Sequence, residues 1–224
     1  MAQPEDLALT RELIAAAFPG PVADDEQAMA LLPDADVAAR YDEWMSSHPG
    51  GDLWLFGYGS LRWKPELDFI EQRLAIVRGW HRGFCLWQWR FRGSRAKPGL
   101  MLALERGGTC AGLAFRIAGP DLRAKLAETW RREIGGDGYR PRWVTAATEA
   151  GPVTALAFVI NRGSRRYAGR LSDETVAAHI AGACGETGPN AEYLLETVMR
   201  CRQLGIHDRL LWRLQELVAE RLRG

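Results

Sequence analysis

The chain has 224 residues, 47% of them hydrophobic and 25% charged, which is the composition of a globular, water-soluble protein and excludes a disordered or fibrous one. A chain of this length buries roughly 70% of the surface that its unfolded form exposes, so a core forms without disulfide or metal staples. Its 29 Lys and Arg against 28 Asp and Glu leave a net charge of +1, which excludes a whole-protein field able to draw in nucleic acid or an acidic membrane surface.

The first twenty residues carry acids ahead of the apolar positions and lack a basic segment, so no signal peptide is expected. No apolar run approaches the roughly 18 residues of a membrane span. Helices are expected over 5–18 and 34–47, the second opening after Pro33 and Asp34 and closing before His48, Pro49 and Gly50. They read as an N-terminal helical extension covering residues 1–50. Beyond Gly51 the texture changes to short apolar runs, LWLFGYGSL, RLAIVRGW, FCLWQW, GLMLAL and AGLAFRI, separated by Gly, Pro and Arg as strands are. A helix over 121–133, strands over 142–148 and 153–160, and helices over 173–183, 190–204 and 209–222 complete a domain of residues 51–224, without repeats or low-complexity linkers. Connections near 78–110 are too short for parallel crossovers, so the predicted class is α+β, a sheet curled into a small barrel rather than a βαβ series. Cys85, Cys110, Cys184 and Cys201 are widely spaced and form no CxxC pair, which predicts reduced thiols and a cytoplasmic protein.

Three segments could carry chemistry. In the first, Phe56, Gly57, Tyr58, Gly59, Ser60 and Leu61 follow an apolar strand into a turn. Gly57 and Gly59, lacking Cβ, allow dihedrals that gather backbone N–H groups into a nest for a carboxylate or phosphate; a tight turn without a ligand is the alternative. A dinucleotide fingerprint needs a third glycine where Arg62 stands, and a P-loop needs GK[ST]; neither is present.

The second is the helix over 121–133. At 100° per residue, Leu122, Leu126, Trp130 and Glu133 share a sector of roughly 80°. Arg131 projects opposite, and Lys125, Glu128 and Arg132 fall on the solvent flank. Burial and the negative helix end both raise the pKa of Glu133, which makes it the candidate general base and acid. The alternative is a structural glutamate paired with an arginine. Ser60 has no GxSxG elbow and no histidine that the sequence places beside it. His81 and Cys85, four apart on a strand, lack further ligands, so no metal is expected.

The third, residues 78–97, interleaves Arg78, Arg82, Arg90, Arg92, Arg95 and Lys97 with Trp80, Phe84, Trp87, Trp89 and Phe91 and contains no acid. Such a segment can stack RNA bases, but its alternation also suits an amphipathic barrel wall. The barrel wall is the reading taken, with an RNA-binding module as its rival.

WLFGYGSLRWKP, RGWHRGFCLW, PGLMLAL, WRREI followed by GYRPRWV, and GPNAEYLLETV together resemble the glutathione-specific γ-glutamylcyclotransferases of the ChaC type, over roughly residues 53–222. The resemblance implies a small mixed β-barrel with peripheral helices, no metal or organic cofactor, and conversion of reduced glutathione into 5-oxoproline and Cys-Gly. It implies substrate binding by the loop Leu55, Phe56, Gly57, Tyr58, Gly59, Ser60 and Leu61, and catalysis by Glu133, within a catalytic domain of residues 51–224. No nucleic-acid or membrane partner is expected, and the sequence carries no reading of oligomeric state. Rival functions are a cyclotransferase for another γ-glutamyl amine and a non-catalytic glutathione-binding regulator. Tyr139, Tyr167 and Tyr193 are possible hydroxyl donors to a substrate pocket.

Overall fold

The computed structural model describes residues 7–18, 20, 31–48, 50–62 and 67–224. In chain order its elements are α1 (Arg11–Ala17), α2 (Asp34–Met45), β1 (Leu53–Gly57), a 3₁₀ turn (Ser60–Arg62), β2 (Glu71–Gln88), β3 (Gly99–Ile117), α3 (Leu122–Ile134), β4 (Tyr139–Thr148), β5 (Gly151–Ile160), α4 (Asp173–Gly182), β6 (Cys184–Gly185), β7 (Gly188–Pro189), α5 (Asn190–Gln203) and α6 (Arg209–Arg223). The described residues fall into two compact units, one drawn from 30–83 and 102–167 and the other from 1–29, 84–101 and 168–224.

The first unit is built on a closed barrel of order β1-β3-β2-β4-β5. β1 runs antiparallel to β3, from Leu53 opposite Ile117 to Gly57 opposite Leu113. β4 and β5 form a hairpin about Gly151, whose φ of +103° fits a residue without Cβ. β5 then runs parallel to β1, pairing Trp54 with Ala155 and Leu55 with Leu156, so the barrel is mixed, as expected, and closure removes its sheet edges.

Two strands are longer than their apolar runs suggested. RLAIVRGW and FCLWQW are one strand, β2, kinked at Gly79 with a φ of +80°. Before Gly79 the buried residues are the odd-numbered Ala75 and Val77; beyond it the even-numbered Arg82, Phe84, Leu86 and Gln88 are buried, joined by Cys85. A left-handed glycine lets the strand turn over its faces without ending. GLMLAL and AGLAFRI are likewise one strand, β3, passing through an exposed stretch at Arg106–Thr109 where Gly107 and Gly108 both have positive φ.

The core of this unit joins α3 to the barrel: Leu122, Leu126, Trp130 and Ile134 cluster with Leu53, Leu55, Leu61, Leu156 and Phe158. α2 holds the outer side of α3, since the Trp130 indole donates to the Val37 carbonyl at 3.1 Å, the Leu32 N–H donates to the Gly135 carbonyl at 2.7 Å, and Tyr41 meets Trp130 edge-on at 5.3 Å. α2 ends at Met45 rather than at 47 because the Ser46 and Ser47 hydroxyls donate to the carbonyls of Glu43 and Trp44.

In the second unit α6 packs against α1, α4 and α5. The helix expected over 5–18 begins at Arg11, because the Thr10 side chain accepts from Leu13 N–H and caps it there; residues 1–6 lie outside the described residues. The Leu9 N–H donates to the buried Gln215 side chain at 2.9 Å. At the first position of α5, fully buried Asn190 accepts from Leu100 N–H at 2.7 Å and donates to Leu100 C=O at 2.9 Å. Asn190→Ala leaves both backbone groups buried without partners and is expected to lower stability by roughly 3 kcal/mol, read from urea denaturation; an unchanged midpoint contradicts that role. The four cysteines are buried thiols, none of them in a disulfide. Among the described residues no helix is long and apolar enough to cross a membrane.

Candidate active site

The glycine loop follows directly from β1. Leu55 and Phe56 are fully buried strand residues, Gly57 is the last of the strand, the chain bends at Tyr58 and Gly59, and Ser60 opens the 3₁₀ turn. Leu61 returns to the apolar cluster that also holds Leu55, Trp130 and Ile134. The turn is made differently from the sequence expectation, because neither Gly57 nor Gly59 is among the glycines with positive φ. A close approach occurs instead across the sheet: a Cβ on Gly112 would lie 2.4 Å from the Gly57 carbonyl oxygen and 2.8 Å from the Phe56 ring. Side chains fix the bend. The Tyr58 hydroxyl donates to the Phe158 carbonyl at 2.6 Å. Arg82, only 4% exposed, donates from Nε to the Tyr58 carbonyl at 2.8 Å and from Nη2 to the Ala111 carbonyl. The first N–H groups of a helical turn have no acceptor within it, and among the described residues no other acceptor is bonded to the N–H of Gly59, Ser60 or Leu61.

Glu133 lies in the last turn of α3, on the side of Leu126, Trp130 and the other buried residues, with a side chain 12% exposed. The helical stripe therefore falls where its period predicted. The carboxylate has a partner from its own helix: Arg132 Nε donates to Glu133 Oε1 at 3.2 Å. Burial outweighs that contact and pushes the Glu133 carboxyl above the ordinary carboxylate range. Glu105 shows the opposite balance. It is also mostly buried, and burial alone pushes it upward, but hydrogen bonds from Arg162 Nε at 2.8 Å and the Tyr167 hydroxyl at 2.7 Å bring it below the ordinary range. Among described carboxyl groups with a resolved shift, Glu133 alone is raised. The surroundings push these two buried carboxyls in opposite directions, Glu105 below the ordinary range and Glu133 above it, and the upward direction suits a group that takes and returns a proton.

The other sequence candidates are engaged in structure. Tyr139 donates its hydroxyl to the Leu102 carbonyl at 2.7 Å, and Tyr167 donates to Glu105, so neither is an open donor. Tyr193 is buried in α5 with its ring edge-on to Phe84. His81 lies 3.0 Å by Nδ1 from the Gly107 carbonyl. Within 78–97, residues up to Gln88 belong to the barrel strand β2, while Arg90 is paired with Glu186 and Arg92 with Glu192. Arg82, counted with that basic run, is the residue whose role the sequence did not disclose: the switch of buried face at Gly79 turns it inward. Of the WLFGYGSLRWKP segment, residues 63–65 lie outside the described residues.

Residues 53–221 match the family described as ChaC-like protein. The chain belongs to that family. Over 200 residues this ChaC-like chain is 36% identical to a glutathione-specific γ-glutamylcyclotransferase of Escherichia coli (strain K12), covering 87% of this chain and 83% of that protein. Over 178 residues it is 36% identical to glutathione-specific γ-glutamylcyclotransferase 1 of Mus musculus, covering 76% and 80%. A crystal structure of a yeast γ-glutamyl cyclotransferase specific to glutathione superposes with a TM-score of 0.70 at 21% identity, covering 76% of this chain and 96% of that one; it speaks to the fold. The ChaC-like match takes in the glycine loop, Arg82, Glu133 and Asn190.

Proposed function

We propose that this ChaC-like chain is a γ-glutamylcyclotransferase that cleaves reduced glutathione into 5-oxoproline and Cys-Gly. The observation that carries the reading is the 36% identity, over most of both chains, to proteins named for that reaction. The geometry offers the parts it needs. The substrate's α-amine attacks its own γ-carbonyl carbon, a C–N bond closes the five-membered ring, and the bond to the cysteine nitrogen breaks. The protein has to fold the glutamyl group back on itself and move a proton. Glu133 takes one proton from the α-ammonium before attack and passes it to the departing nitrogen, and the second proton that the ring nitrogen sheds on closure follows the same way, so Cys-Gly leaves with its amine protonated and Glu133 is regenerated. The N–H groups of Gly59, Ser60 and Leu61 receive the α-carboxylate, with Leu55, Phe56, Gly57 and Tyr58 holding the loop in shape.

On this reading residues 51–224 form the catalytic domain, with residues 1–50 as an N-terminal extension, and the reaction runs in the cytoplasm, where the four thiols stay reduced. The reaction as written needs neither a metal nor an organic cofactor. The test is to incubate the full chain with reduced glutathione, and separately with other γ-glutamyl amines, and follow products by mass spectrometry. Equal amounts of 5-oxoproline and Cys-Gly are expected from glutathione. Release of 5-oxoproline only from another γ-glutamyl amine moves the substrate but keeps the reaction; no release from any of them removes it.

A further inference from the structure

We propose that the cavity beside Trp80 in the barrel unit binds a small phosphate-bearing anion. The cavity has a volume of about 170 Å³ and is lined by Trp80, Glu105, Arg106, Arg140, Arg142 and Arg162 among others. A chain with a net charge of only +1 gathers four guanidinium groups around one carboxylate here. That carboxylate is already engaged: Glu105 is held by Arg162 and the Tyr167 hydroxyl. The Arg106 guanidinium lies 5.2 Å from the centre of the Trp80 ring, and stacking of this kind fixes the group while leaving its N–H edge exposed. Among the described residues the side chains of Arg140 and Arg142 have neither an ion pair nor a hydrogen bond to a protein group. They are two apart on β4, with Arg140 opposite Val159 and Arg142 opposite Ala157. That spacing puts both on one face, roughly 7 Å apart along the strand.

Uncompensated like charges held side by side repel one another, and a phosphate relieves that repulsion while matching the planar fork of each arginine. The volume is that of about six waters, which suits one or two phosphate groups. Within the basic segment, Arg90 and Arg92 are already paired with Glu186 and Glu192.

Isothermal titration of the full chain with inorganic phosphate, with pyrophosphate and with single-stranded RNA tests the proposal, using the wild type, Arg140→Ser, Arg142→Ser and the double variant. Both arginines are exposed, so the variants are expected to melt with the wild type. Arg123→Ser, which removes an exposed arginine paired with Asp42, is the control. Saturable one-to-one binding of phosphate or pyrophosphate is expected, weakened about tenfold by each single substitution, lost in the double variant and unchanged in the control. Three results overturn it: no saturable binding of either anion, equal affinity in the double variant, or RNA binding tighter than pyrophosphate that the same substitutions abolish.

Discussion

Glu133→Gln is expected to fold, to bind glutathione and to release 5-oxoproline about 10²–10⁴-fold more slowly, the range that a positioned general acid and base contributes. Glutamine preserves the side chain's shape and leaves an acceptor for Arg132, so the packing of α3 is retained while the proton-carrying group is lost. Two pH dependences accompany the loss. As a base, Glu133 works when ionised, so kcat/KM of the wild type is expected to rise with pH through the raised value of this carboxyl rather than through the ordinary carboxylate range. Stability moves the other way. The folded chain holds the Glu133 proton more tightly than the unfolded chain does, so stability is full below the ordinary carboxylate range and is lost as pH rises toward the folded-state value. The glutamine variant escapes that loss. Its Tm is expected to exceed the wild-type Tm at neutral pH and to converge with it in acid. Wild-type turnover in the variant contradicts the catalytic role, and a Tm difference that does not vary with pH contradicts the raised pKa.

Glu133 was legible because a helix repeats with a fixed angle: one carboxylate among Leu122, Leu126 and Trp130 has to share their burial, and the structure puts it at 12% exposure on that side. The barrel itself was legible from strand texture and short connections. What the sequence could not disclose depends on glycines whose backbone angles are not written in it. Gly79, Gly107 and Gly108 look like breaks between short strands, yet each is a residue of positive φ inside a long one. Because the face of β2 reverses at Gly79, a count by twos from Ala75 and Val77 places Arg82 on the outside, and its inward position is visible only once the kink is known. Conversely, Gly57 and Gly59 suggest left-handed turns that the loop does not use, and a close approach that leaves no room for a Cβ occurs instead at Gly112, across the sheet. Arg132 as the partner of Glu133 was hidden for another reason: adjacent helix positions point apart, so the contact depends on the reach of a long side chain that the period does not encode.

Arg82→Met is expected to cost about 3 kcal/mol of stability and to raise KM for glutathione far more than it lowers kcat. Two charge-assisted hydrogen bonds disappear with the guanidinium, and the carbonyls of buried Tyr58 and half-buried Ala111 lose their donor. Methionine fills much of the same volume, so the loss reports the bonds rather than a cavity. These two carbonyls lie on the glycine loop and on β3 beside Gly112, so Arg82 fixes the loop against the strand that faces it. A loop that binds the glutamyl carboxylate alike in the ground state and the transition state contributes uniform binding, and loosening it appears in KM. Arg82→Lys is expected to recover little, because a single ammonium cannot present a planar fork to carbonyls from two elements. Urea denaturation and initial-rate kinetics on the same preparations separate the outcomes. A purely structural arginine gives the stability loss with KM unchanged in the fraction that remains folded; a fall in kcat at constant KM, with the pH profile displaced, places Arg82 with Glu133 in the chemical step instead of behind the loop.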